Sequence, residues 1–101
     1  MTSDRPHDRI DDVIHQRTRL AIMALLAGVE SLDFLEVKAR LGLTDGNLAT
    51  HLATLAKAGY VRIDKAFKGR KPQTTVSITG KGREALARYV RLLQTILDKT
   101  K

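Results

Sequence analysis

Six cations crowd the segment from Lys57 to Lys71: Lys57, Arg62, Lys65, Lys68, Arg70 and Lys71, against the single carboxylate of Asp64. Groups of this kind at this density break no bonds. Their chemistry is neutralisation of closely spaced negative charge. The bias extends over the second half of the chain. Residues 1–56 carry six basic and eight acidic residues, net −2, whereas residues 57–101 carry twelve and three, net +9. Focused positive charge points to a polyanion, nucleic acid before an anionic membrane, with a merely solubilising surface as the plain reading.

Other chemistries find little to work with. His7, His15 and His51 are scattered with no HxxxH spacing, and no paired carboxylates share the face of an expected helix for acid–base work. Gly80-Lys81-Gly82 lacks the strand–loop context and remaining glycines of a phosphate-binding loop, so its glycines are expected to bring a helix close to a neighbouring sheet. The absence of cysteine rules out disulfides and thiolate metal sites. Neither enzymatic activity nor a cofactor is expected. With 101 residues, 43% apolar and 29% charged, the chain suits one small globular domain, short enough to gain stability from self-association. No run reaches the roughly 18–20 apolar residues of a membrane span, and no signal-like leader opens the chain, so the expectation is a cytoplasmic protein without a membrane partner.

These cations need elements to hold them. Residues 1–9 are polar and aperiodic, predicting a flexible start, with one domain over 10–101. From Ile10 the pattern changes: Ile14, the run Leu20 to Leu26 and the halt at Gly28 predict a largely buried helix. A short extended link around Leu32 follows. Asp33 has cap spacing with Glu36, opening a helix over about 34–41 that Gly42 stops. After Gly42-Leu43-Thr44, Thr44 caps another helix. Its Leu48, Leu52 and Leu55 form a core stripe, while Gly46, Asn47, Thr50, Ala53, Thr54 and Lys57 lie opposite. Gly59 ends it. Two alternating runs come next: Tyr60–Phe67, with Val61, Ile63 and Phe67 inward, and Thr74–Ile78, with Val76 and Ile78 inward. Lys68 to Gln73 forms the hairpin tip between them, and Thr79 caps a last helix over about 80–98.

Helix, glycine-marked turn, then a helix with a short polar outer face is the arithmetic of a helix-turn-helix. Such a face lets a backbone approach base edges in a major groove, and a basic hairpin behind it reaches phosphates or the adjacent minor groove. The runs Leu43–Val61 and Gly69–Arg83 resemble the short winged-helix transcriptional regulators of prokaryotes related to the MarR and ArsR groups. The resemblance spans His15 to Leu97. It implies a mainly α fold with a small β-hairpin, a winged helix-turn-helix, a homodimer and double-stranded operator DNA as partner, with repression or activation of transcription. By position, residues 44–58 become the recognition helix and Lys68–Gln73 the wing. Relatives commonly carry basic residues where this chain has Thr50, Ala53 and Thr54, which shifts the load to the wing.

Asn47, Thr50 and Thr54 lie within about 60° of one another on the helical wheel. Asn suits adenine, and Thr suits a base edge or a thymine methyl, against the plain alternative of a solvated face. Thr44, His51 and Lys57 flank them. His51 lies nearer the core edge and suits a phosphate or a packing role equally. Arg70 and Lys71 are the strongest candidates for phosphate and minor-groove contact, with Lys65 and Lys68 beside them, while Arg62 has Asp64 within reach. On the last helix, Leu86, Val90, Leu93 and Leu97 form one apolar stripe, and Ala85, Tyr89, Leu92 and Ile96 a second. One stripe packs a helix on its own domain; two suggest a partner. A dimer interface of Ile10, Ile14, Tyr89, Leu92, Leu93, Ile96 and Leu97 is therefore expected, and the acidic Asp4, Asp8, Asp11 and Asp12 have Arg83, Arg88 and Arg91 as candidate neighbours. The competing class is a protein–protein adaptor whose basic wing grips an acidic partner. RNA binding is a lesser option, given only four aromatic residues.

Overall fold

A computed structural model describes residues 6–99. Asp4 and the rest of residues 1–5 lie outside the described residues, as do Thr100 and Lys101. Residues Pro6–Arg9 form a single 3₁₀ turn. Helix α1 then runs over Arg17–Ala27 and buries Ile22, Met23 and Leu26. The helical pattern beginning at Ile10 is thus broken for its first seven residues. Asp11 Oδ1 accepts from the Val13 N–H at 2.9 Å, offering the backbone a local bond in place of a helical one. Gln16 caps the true start, its Oε1 accepting from the Arg19 N–H at 2.8 Å. Ile14 is fully buried all the same, from a turn rather than a helix.

Strand β1, Leu32–Asp33, is the short extended link. Helix α2, Phe34–Leu41, opens with the Asp33 carboxylate accepting from the Leu35 N–H at 3.4 Å. Glu36 turns instead to Arg40, one helical turn on, at 2.8 Å. Gly42 closes α2 with φ +64°, while Leu43 N–H donates to Lys38 O and Gly42 N–H to Ala39 O, at 3.1 and 3.4 Å. These paired bonds satisfy carbonyls that the helix end leaves open. Helix α3, Asp45–Lys57, starts where Thr44 Oγ1 accepts from the Asn47 N–H at 3.1 Å. Lys38 and Asp45, 2.8 Å apart, tie α2 to α3 across the turn. Leu48, Leu52 and Leu55 point into the core.

Strand β2 (Val61–Lys68) pairs antiparallel with β3 (Lys71–Ile78), and β1 joins the other side of β3, giving the sheet order β1-β3-β2. Pairing reaches Lys68↔Lys71, so the turn is only Gly69-Arg70, shorter than the tip expected over 68–73. Gly69 has φ +66° and Arg70 does not share it, the pattern of a two-residue turn with glycine in first place. Pro72 is tolerated inside β3 because β1 reaches only Thr75 and Val76, leaving that end of β3 with one neighbour. Phe67 lies on the core side of β2 but is not covered: it is 75% exposed, beyond the point where the domain reaches under the hairpin.

Helix α4, Gly80–Lys99, is capped by Thr79, whose Oγ1 accepts from the Gly82 N–H at 2.9 Å and donates to Gly59 O at 2.6 Å. A Cβ at Gly82 would lie 2.1 Å from Tyr60 O, so only glycine lets α4 approach the root of β2 this closely. Gly80 has open space around it and plays no such part. Core contacts come from the first half of α4, through Gly82, Ala85 and Tyr89. The radius of gyration is 15.5 Å, against roughly 13 Å for a compact chain of this length, and the long axis measures 56 Å.

Candidate nucleic-acid interface

Thr44, Asn47, Thr50, Ala53 and Lys57 are exposed along α3, and Thr54 is half-buried. The flank opposite the leucine stripe is therefore open. Asn47 spends its backbone N–H on the Thr44 cap, and its exposed side-chain amide bonds to none of the described residues. The Thr54 hydroxyl donates to Thr50 O at 3.2 Å, which leaves its lone pairs facing outward. Asp45 would place a negative charge at this end of the helix, and Lys38 offsets it.

His51 is half-buried, and its Nδ1 lies 3.4 Å from Nη1 of Arg19. A guanidinium only donates, so Nδ1 is the atom that can accept in this contact. Arg19 also donates to Val13 O and, at 3.3 Å, to Asp12 O, which fastens the N-terminal turns to the edge of α3. Sequence reasoning missed Arg19. No local signal links it to His51 across 32 positions.

Along the hairpin, side chains alternate between two faces. Lys68 and Lys71 are direct cross-strand partners on one of them, an arrangement that like charges resist unless an anion lies between. Lys65 and Arg70 add to the same end, and all four are exposed. Among the described residues the ion pairs are Lys38–Asp45, Arg40–Glu36 and Arg62–Asp64, and none of the wing cations beyond Arg62 has a carboxylate partner. Arg62, at 3.1 Å from Asp64, is neutralised close to the domain. Positive charge is thus concentrated at the far end of the wing.

The last-helix cations divide. Arg83 donates to Ala27 O at 2.9 Å and so completes the C-terminus of α1. Lys81 lies over the Tyr60 ring, 5.9 Å from its centroid. Arg88 and Arg91 border a cleft of about 520 Å³ together with Arg9, Asp11 and Tyr89. Asp11 reaches this region, as its charge suggested, yet its hydrogen bond is with Tyr60, whose hydroxyl donates to Oδ2. Burial and that carboxylate push the Tyr60 phenol up to about 12.

Of the residues expected at a subunit interface, Ile14 and Tyr89 belong to the chain's own core, at 0% and 5% exposure. Tyr89 also bonds His15, with 2.9 Å between its hydroxyl and Nδ1. Ile10, Leu92, Leu93 and Ile96 are half-buried, whereas Leu97 and Val90 are 60% and 57% exposed. Val90, absent from the expected set, borders a groove of about 400 Å³ with Ala27, Leu86 and Ala87. The burial of Tyr89 was not legible in the sequence, because helical periodicity tells which residues share a stripe, not which stripe the domain itself covers.

The model of the winged helix DNA-binding domain matches residues 18–97. This chain belongs to that family. It is a family of binding modules rather than enzymes, and the resemblance to short winged-helix regulators and the fold expected from it both hold. The uncharacterized protein MJ0432 of Methanocaldococcus jannaschii is 38% identical over 78 residues, spanning 77% of this chain and 85% of that one. Among solved structures, a transcriptional regulator homologue from Pyrococcus horikoshii superposes with a TM-score of 0.82 at 31% identity, covering 88% of each chain. The M. tuberculosis transcriptional regulator MOSR, solved in complex with DNA, superposes with a TM-score of 0.68 at 23% identity, over 87% of this chain and 62% of its own. At that identity the likeness is one of fold. Among the described residues no helix is long and apolar enough to cross a membrane.

Proposed function

We propose that this protein is a homodimeric transcriptional regulator, a repressor in its simplest mode, that binds specific double-stranded DNA in the cytoplasm. Helix α3 enters the major groove with Asn47, Thr50 and Thr54 against base edges, and Thr44, His51 and Lys57 at the groove rim. The wing lays Lys65, Lys68, Arg70 and Lys71 on phosphates and the neighbouring minor groove. One observation carries the reading: among the described residues the distal wing holds four exposed cations without a carboxylate partner, two of them directly opposite each other, while Lys38, Arg40 and Arg62 are all paired. Side chains so placed lose stability unless an anion joins them. The description of the Pyrococcus relative as a transcriptional regulator homologue supports the regulatory role.

Dimerisation runs through α4 and the segment at Ile10. Leu97 and Val90 supply exposed apolar surface, Ile10, Leu92, Leu93 and Ile96 flank it, and Ile14 and Tyr89 support it from beneath. A two-fold pair of this kind presents its recognition helices about 34 Å apart, one turn of B-DNA.

Fluorescence anisotropy with a random 30-base-pair duplex (on the order of three helical turns) across a salt series tests the proposal. With Lys57 and the wing cations each meeting a phosphate, a dimer neutralises about eight to ten, so log Kd should rise with log salt at a slope of about 7–9. An absence of binding at low salt contradicts the reading and favours an acidic protein as the wing's partner.

A further inference from the structure

The hairpin carries one feature that phosphate binding does not use. Val61, Ile63, Lys65 and Phe67 share a face of β2, and their cross-strand partners Ile78, Val76, Thr74 and Pro72 continue that face on β3. Near the domain it is core: Val61, Val76 and Ile78 are buried. Four residues beyond Ile63, about 13 Å along the strand, the same face bears Phe67 and Pro72 with nothing over them. Phe67 is 75% exposed and Pro72 is exposed. As direct partners their Cβ atoms lie roughly 5 Å apart, so ring and pyrrolidine make one apolar knuckle. Lys65 shares this face and Arg70 sits in the adjoining turn, while Lys68 and Lys71, next in the chain to Phe67 and Pro72, project from the opposite face of the ribbon.

Building on the DNA-binding reading, we propose that Phe67 and Pro72 form a wedge that enters the DNA minor groove and opens a base step there. The nearby charge selects the occupant. An apolar surface on a second copy would have to cover Lys65 and crowd Arg70, neither of which has a carboxylate partner among the described residues, and that is costly. A minor groove offers phosphates along its rims and apolar sugar and base walls within. Inserted apolar side chains unstack a base step, most cheaply at pyrimidine–purine steps. The wedge thus gives this wing a preference for deformable sequence, in addition to what α3 reads.

The experiment places donor and acceptor dyes at the two ends of a duplex selected by the wild-type protein, and measures bend by energy transfer and affinity by anisotropy. Wild type should bend the duplex by about 20° or more. Phe67→Ala should remove most of that bend and weaken binding by about tenfold, as loss of a buried aromatic contact partly offset by relief of unstacking. Phe67→Leu, which keeps apolar bulk, should retain most of both. Because the ring is exposed, neither variant should shift the thermal midpoint, which verifies folding in the same samples. Equal bend and affinity in wild type and Phe67→Ala overturn the wedge while leaving DNA binding intact. A wild-type protein that binds no duplex overturns both. Reduced self-association in Phe67→Ala with an unchanged bend overturns the wedge in favour of a second copy.

Discussion

Replacing Lys71 by glutamine should make the protein more stable and a poorer DNA binder at once. Lys68 and Lys71 are direct cross-strand partners at the last rung before the turn, and neither has an ion-pair partner among the described residues. Two ammonium groups about 7 Å apart in bulk water repel by about 0.6 kcal/mol, within the roughly 0.2–1 kcal/mol typical of such cross-strand pairs. Removing one charge should raise the thermal midpoint by about 2–5 °C at low ionic strength, given the sensitivity of a domain this small. Since the repulsion is between exposed charges, the gain should fade by about 1 M salt. In DNA binding the variant loses one phosphate contact per subunit. For a dimer the salt slope should fall by about 1.8, so its deficit relative to wild type shrinks by roughly tenfold between 50 and 200 mM salt. Scanning fluorimetry and anisotropy on the same preparations give both numbers. A lowered midpoint, or an unchanged salt slope, would refute the argument that the wing stores repulsion for a polyanion.

Gly82→Ala should destabilise the domain by about 3 kcal/mol or more, because its methyl meets the Tyr60 carbonyl and α4 must shift; Gly80→Ala, with open space around it, should be neutral or slightly stabilising in the same urea titration. Asn47→Ala should leave affinity for random duplex within about twofold and flatten the preference for the selected site, by roughly 1–3 kcal/mol of lost discrimination, in competition binding. Tyr60 should make stability fall at alkaline pH. Its folded phenol titrates near 12 and its unfolded phenol near 10, so its contribution is complete below pH 10 and lost as pH rises from 10 to 12. The stability difference between wild type and Tyr60→Phe, measured by urea unfolding at several pH values, should be constant below pH 10 and shrink above it.

Where a structural cause is local, the residues declared it. Thr44, Asp33, Gly42 and Gly59 set helix ends through bonds to residues within a turn of them, and the boundaries of α2 and α3 follow from their identities. The start of α1 was misread because periodicity continues through Ile14 while Asp11 diverts the backbone. Phe67 was assigned inward because alternation reports the side of a strand but not where the domain beneath it ends. The hairpin tip was drawn too long because Pro72 reads as a breaker unless the neighbouring strand is known to be absent. On the candidate interface, the exposed flank of α3 and the wing cations were legible from spacing and charge. The Arg19–His51 and Asp11–Tyr60 contacts were not, since each joins positions that only the fold brings together.

The account rests on α3 and the wing meeting one duplex. Backbone amide shifts of the labelled protein, followed as a selected duplex is titrated in, test that directly. Perturbation should concentrate at Thr44, Asn47, Thr50, His51 and Thr54 and along Lys65–Gln73. Shifts confined to α4 and the N-terminal turns, with those two segments unmoved, would contradict it.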